Sequence, residues 1–381
     1  MKLNPALVAA LLEGPALPYP GGSDGTWQPT VHSRDQLWYY VCVSLCTAFS
    51  GIFIILRLYT KLRVVHKLDL SDYLILLSFA LLAAEVGIGR PTLNHGAGVH
   101  QWHIKVKDLF ELLKWMNYAE ILYGPTIFVV KMSILVQYLR MLAPNRTVNP
   151  FMFWGSWIII STSFTFYTID TFITIFACNP REKIWNKLRQ EGHCMNYNAV
   201  VLATGYFNII SDVAILLLPV RSVWQLSIPL RKKVAISFLF ATGLLACIAS
   251  AMRIVETLAI VHKPDTSDVS YHIAWMGLWS YAEIALGIIV ACTLSLPKLV
   301  QAKGWKLPSV FSSFSNPFSS NKTNPTLPTW HSHSEKSAHG GGGKTVNTVI
   351  IGQTLSQTDL TFETGSYQLK SSSSRDGSER S

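Results

Sequence analysis

Six charged residues sit deep inside long apolar runs of this sequence: Glu85, Lys131, Asp170, Asp212, Arg253 and Glu283. A charge at mid-membrane costs on the order of a few kcal/mol unless it is paired or hydrated, so each needs a partner or a task. At a helical rise of ~1.5 Å per residue, Lys131 and Asp212 both fall roughly 20 Å from the same end of their runs. They are expected to pair. By the same count Arg253 and Glu85 fall roughly 12 Å from that end, Glu283 roughly 16 Å and Asp170 roughly 9 Å, which predicts an outer polar cluster of four. Two roles stay open for this network. It lines a ligand or ion cavity in which protonation or ligand charge shifts helix pairing, or its pairs fix helix register with no ligand at all.

Other chemistries find less support. A retinal pigment requires a desolvated lysine amine on the last helix. Between Pro264 and Pro297 there is no lysine, and Glu283 stands near the middle of that stretch, so no retinal or other cofactor is expected. His95, His100, His103, His193, His262 and His272 raise a zinc-hydrolase alternative, with His100 and His103 three apart. These are loop residues, however, and no metal site is expected. Phosphate-cradling glycine loops, nucleophile elbows and zinc-finger spacings are all missing, so the chain is not expected to be an enzyme.

The elements that must position these side chains are membrane spans. The chain is 49% hydrophobic and only 14% charged, against about 25% charged in soluble proteins. Its apolar residues gather into seven runs, near 37–57, 72–92, 116–139, 151–177, 197–219, 234–261 and 272–296, each long enough to cross ~30 Å of hydrocarbon. The fold class is therefore all-α, a seven-helix transmembrane bundle. Residues 1–36 read as an external segment, and 298–381, rich in Ser, Thr, Gly and Asn, as a disordered cytosolic tail. Arg57, Lys61, Arg63 and Lys67, then Arg140 and Arg146, then Arg221 and Arg231 to Lys233 mark the cytosolic loops. The N-terminus is thus predicted outside and the C-terminus inside, in the plasma membrane. The net charge of +10 follows from this loop bias, and nucleic acid is not an expected partner.

On that topology Cys178 and Cys194 lie outside, in an oxidising setting, and are expected to form a disulfide closing a loop worth ~3 kcal/mol in the chain-entropy model. Trp185 within that loop would serve as a lid or interface anchor. Cys42, Cys46, Cys247 and Cys292 fall within spans as small packing residues.

An ordered series of motifs resembles the fungal rhodopsin-domain family of seven-helix membrane proteins. The series runs Arg57-Leu-Tyr-Thr-Lys61, Ser71-Asp72-Tyr73, Gly96-Ala-Gly98-Val-His100, Lys131-Met-Ser-Ile and Tyr138-Leu-Arg140. It continues with Cys178-Asn-Pro, Trp185, Cys194, Asp212, Leu218-Pro219, Arg253, and Trp279 through Glu283. The family commonly carries two acidic residues where Ser71-Asp72 stands, so the first carboxylate is replaced by a hydroxyl here. The resemblance implies the bundle and its membrane location, and a receptor-like role as in some members. The expected partners are the lipid bilayer, an unidentified external ligand and a cytosolic signalling partner. A proton-coupled transporter using Lys131, Asp212 and Glu283 is the alternative.

Overall fold

The computed structural model describes residues 10–18, 34–147, 149–186, 188–189, 191–224, 230–262 and 268–294. The Ser/Thr-rich segment 298–381 lies outside the described residues, as does much of 1–36. Seven long helices account for most of the rest: α1 (Arg34–Thr60), α2 (Leu70–Asn94), α3 (Val106–Leu142), α4 (Pro150–Ile175), α5 (Tyr197–Trp224), α6 (Leu230–His262) and α7 (Val269–Thr293). All seven are long and apolar enough to cross a bilayer. The chain is a multi-pass membrane protein.

Local chemistry starts and extends these helices. Asn149 caps α4 by accepting the Met152 N–H at 3.1 Å, with Pro150 at the first helical position, where its missing N–H costs nothing. At the start of α2, Asp72 reaches back to accept the Asp69 N–H at 2.8 Å. The apolar run 116–139 is only the middle of α3, which begins ten residues earlier at Val106. Lys107, Asp108, Glu111 and Lys114 hide that first part from a hydropathy reading. Similarly, α5 runs through Pro219 to Trp224.

Consecutive helices pack side by side, and α7 returns to α1 to close the ring, while α3 and α7 also touch across its middle. The burial pattern agrees: α3 and α7 bury 56% of their most apolar stretch, the other helices 22–33%. Their approach is close enough that a Cβ on Gly287 would lie 2.4 Å from Val130 Cγ1, so only glycine fits there. Large apolar side chains such as Ile52, Ile55, Ile158, Phe172 and Ile248 point outward, as hydrocarbon contact requires.

The two ends of the bundle differ. At one end, β1 (Cys178–Asn179) and β2 (His193–Cys194) form a two-stranded ribbon, and Cys178 and Cys194 are disulfide-bonded. Beside it, the Gly96–His100 turn clamps α7. Gly98 adopts φ +80° and donates to Ser270 O at 3.0 Å, while Ser270 Oγ donates to Val99 O at 2.7 Å. His100 stacks between Trp102 and Tyr271 and contacts Asp268, which accepts the Gln101 N–H. At the other end, Arg57 and Lys61 are buried and ion-paired. Counting them as loop cations is therefore corrected: an apolar run ending in arginine looks like a span meeting water, yet here the arginine turns inward.

Candidate functional site

The deepest part of the site is built around Lys131 on α3. Its Nζ lies 2.9 Å from Asp212 Oδ1 and donates to Asn208 Oδ1 at 2.6 Å, Ser211 Oγ at 2.6 Å and Asn208 O at 3.0 Å, all from α5. The other Asp212 oxygen accepts from Ser250 Oγ of α6 at 2.7 Å. Asn208 carries the network onward: its amide donates to Glu283 Oε1 of α7 at 2.6 Å, and its carbonyl also accepts from Tyr167 Oη of α4 at 2.9 Å. One lysine and two carboxylates thus share a centre spanning five helices. Every charge in it has a hydrogen-bonding partner, as burial demands.

Toward the disulfide end the arrangement departs from the expected cluster of four. Arg253 pairs with Glu120 of α3, its Nη2 donating to the two carboxylate oxygens at 2.9 and 3.1 Å. It does not pair with Glu85. The guanidinium lies 3.8 Å from the Tyr123 ring centroid, close enough for a cation–π contact, and Tyr123 Oη donates to Glu283 Oε2 at 3.1 Å. Tyr123 therefore links the outer pair to the inner network. Asp170 stands apart, accepting from Thr204 Oγ1 at 2.6 Å. Glu85 Oε1 is buried with no hydrogen-bond partner among the described residues, and so are Nε and Nη1 of Arg253. Glu85 and Glu120 share a small cavity of about 50 Å³ with Tyr281 and Ser280, enough room for a water molecule.

Above this cavity, and separated from it by Met116, Ile273 and Met276, which line both, opens a larger one of about 480 Å³ beneath the disulfide ribbon. Its walls are mostly aliphatic, with the disulfide itself forming part of the boundary. Trp185 is half-buried and, with Cys194 and Tyr197, packs against Ala177, Cys178 and Ile184. The polar groups at the cavity wall include Asn117 and Tyr197, which face one another. Neither the Asn117 amide nor the Tyr197 hydroxyl makes a well-formed hydrogen bond.

The remaining motif residues are mostly architectural. Arg57 is anchored on all sides: Nε to Asp72 Oδ1 at 2.8 Å, Nη1 to Gln137 Oε1 at 2.5 Å and Ala291 O at 2.6 Å, and Nη2 to Ser71 Oγ at 2.7 Å. Ser71 thus serves this arginine as a neutral acceptor. Arg140 bonds Asp69 at 2.7 Å, and Asp69 also contacts Lys61. Burial would raise the Asp69 carboxyl, but hydrogen bonds from Lys61 and Arg140 outweigh it and hold the group low. Gly96, with φ +98°, belongs to the turn beside α7; Pro219 is buried within α5; Trp279 is half-buried in α7.

Among the described residues no group of three His, Cys, Asp or Glu side chains could hold a metal ion. The histidines of the disulfide end pair singly instead, His95 with Asp108, His100 with Asp268 and His272 with Glu256. Sequence reasoning missed Glu120, Tyr123, Asn208 and Asn117. Only Glu120 carried a signal a charge search could find, and it stands four residues inside the third apolar run.

Comparison with known proteins agrees with the architecture. Residues 56–302 match the fungal rhodopsin domain, and the chain belongs to that family. It is 38% identical over 204 residues to a SAT4 family membrane protein of Emericella nidulans, covering 54% of this chain and half of that protein's length. It is 28% identical over 297 residues to fugralins biosynthesis cluster protein 2 of Gibberella zeae, covering 77% and 72%. It is 26% identical over 287 residues to receptor GIN3 of Arthrobotrys oligospora, covering 70% and 64%. No solved structure matches the chain significantly.

Proposed function

We propose, starting from that family membership, that the protein is a non-enzymatic receptor that binds a small molecule from outside the cell and signals through its cytosolic face. The observation that carries this reading is the cavity of about 480 Å³ beneath the disulfide ribbon, within the ordinary range of small-molecule sites. A disulfide belongs in an oxidising compartment, which supports an outward placement of that end. The Arg57 end and the Ser/Thr-rich segment 298–381 then face the cytosol. A relative named as a receptor and another named for a biosynthesis cluster both suit a small-molecule ligand.

The polar network supplies a route from the cavity to the bundle centre. Below the cavity floor, Glu120 holds Arg253, Arg253 lies on Tyr123, and Tyr123 bonds Glu283, which shares Asn208 with Lys131. A ligand that displaces the floor changes this chain only by its differential affinity for two arrangements of it. A second reading, proton-coupled transport, draws on the same continuity of carboxylates through Glu120, Glu283 and Asp212.

The test is nucleotide exchange on a heterotrimeric G protein reconstituted with the receptor in nanodiscs, driven by small apolar compounds such as 1-decanol. Exchange should rise with the compound, and Val201→Trp, which fills the cavity from α5, should abolish the response while the protein still melts cooperatively. Exchange that is indifferent to the compound would overturn the reading. So would proteoliposome flux of the compound that Asp212→Asn abolishes, which would establish transport instead.

A further inference from the structure

The described walls of the cavity beneath the disulfide ribbon carry no charge. Among the described residues its walls hold no Asp, Glu, Lys, Arg or His, in a bundle that buries charges just below it. Its polar groups are mostly spent on the protein. Thr257 Oγ1 donates to Arg253 O at 2.9 Å, and Gln101 Oε1 accepts the Val269 N–H at 3.1 Å. Asn117 and Tyr197 are the exceptions among its buried polar atoms. Asn117 is only 2% exposed, and neither Nδ2 nor Oδ1 has a well-formed hydrogen bond. The Tyr197 hydroxyl stands beside it. Even one bond between them would leave most of the amide's capacity of two donors and a double acceptor unused.

We infer that this cavity takes an uncharged, mainly aliphatic small molecule bearing a hydroxyl or amide, and that Asn117 is the residue that recognises that group. The inference rests on the receptor reading for the site's role, and goes beyond it in naming the ligand's chemistry. A hydroxyl can donate to Asn117 Oδ1 and accept from Nδ2 at once, which completes a buried amide that is otherwise underused. A carboxylate would meet no cation at these walls and an ammonium no carboxylate, so either would lose its hydration without compensation. Arg253 does not serve as a counter-charge, since its partner Glu120 lies one helical turn below Asn117 and already neutralises it. The aliphatic walls, including Leu109, Leu113, Ile260 and Ile273, supply affinity by burial, while the buried amide of Asn117 supplies selectivity.

The experiment compares 1-decanol, decanoate and decylammonium by titration calorimetry on the protein in nanodiscs, with empty nanodiscs subtracted. The wild type should bind decanol at least about tenfold more tightly than either ion, in keeping with the cost of an uncompensated charge. Asn117→Leu should lose about fivefold or more in decanol affinity, the order of one hydrogen bond. Asn117→Asp should turn the preference toward decylammonium. Equal binding of an ion and the alcohol by the wild type, full decanol affinity in Asn117→Leu, or no binding above empty nanodiscs would overturn the inference. The wild-type ranking needs no variant to fold. Decanol binding without nucleotide exchange would count against the receptor and leave the ligand class standing; exchange driven by decanoate in decanol's place would do the reverse.

Discussion

Among the described residues two arginines are buried in this bundle, one near each end, and they are treated differently. Arg57 directs all three of its nitrogens to partners from three helices: Asp72 and Ser71 on α2, Gln137 on α3 and the Ala291 carbonyl on α7. Arg253 spends Nη2 on Glu120 and rests its face on Tyr123, while Nε and Nη1 have no partner among the described residues. The same side chain thus completes one end and leaves unused capacity at the other. Around Arg57 the helices are tied together with nothing spare. Around Arg253 lie two cavities, an unpartnered Glu85 oxygen and the underused Asn117. Saturation marks the end that holds the fold, and surplus marks the end with room for something else.

The sharpest way to break the contrast is Arg57→Ala. It would leave the buried Asp72 with only Lys61, 3.5 Å away, as a cation and untie α1 from α2, α3 and α7 together. Removing one member of a buried pair costs about 3–5 kcal/mol, so the variant should melt far below the wild type in nanodiscs and reach the membrane in small amounts. A melting temperature close to wild type would show that the Arg57 cluster is not what holds this end.

How far this asymmetry was legible in the sequence depends on the kind of residue. The seven helices follow from run lengths alone, because a span must be apolar throughout and about 20 residues long. The depths of Lys131 and Asp212 follow from helical rise, and the two are side by side at 2.9 Å. The partners were harder. Glu85 and Arg253 share a depth, but depth says nothing about which way a helix is rotated, and Arg253 faces Glu120 on α3. Asn117, Asn208 and Tyr123 carry no charge, so a search for costly charges passes over the groups that link them. Arg57 misleads in the opposite direction, since its position at the close of an apolar run gives no sign that it folds back inside.

A second variant separates the arginines by sign. Replacing Arg253 and Glu120 together, as Arg253→Met with Glu120→Leu, removes an incompletely bonded ion pair and leaves apolar groups of similar size. Buried pairs replaced this way are often neutral or stabilising by about 1–4 kcal/mol, and the unpartnered nitrogens push this one toward stabilisation. The melting temperature should hold or rise while ligand-driven exchange is lost, because the link from cavity to Tyr123 is gone. A drop as large as that of Arg57→Ala would mean that Arg253 is as structural as its counterpart.

The smallest effect compares the carboxylates that each end sets between two cations outside the spans. Asp69 sits between Lys61 and Arg140 next to a buried ion pair, whereas Glu13 is exposed and joins Lys105 and Lys107. Hydrogen bonds from those two lysines pull the Glu13 carboxyl from 4.5 down to about 2. Next to it the chain forms a short bridge to the loop before α3, with Ala16 donating to Ile104 O at 2.9 Å and Val106 to Gly14 O at 3.2 Å. A carboxyl whose folded pKa lies below its unfolded value contributes stability in full above the unfolded value, and that contribution fades as pH falls from about 4.5 through about 2. Solvent screens this exposed group, so the effect is local and the bundle should not melt with it. Amide exchange at Ala16 should therefore stay slow at pH 5 and quicken only as pH approaches 2, after correction for intrinsic rates. In Lys105→Met with Lys107→Met exchange at Ala16 should already be faster at pH 5 and should lose this dependence on pH. Wild-type exchange that does not change with pH between 5 and 2, after the same correction, would show that the lysines do not hold Glu13, and that the disulfide end is looser at its rim than the paired geometry implies.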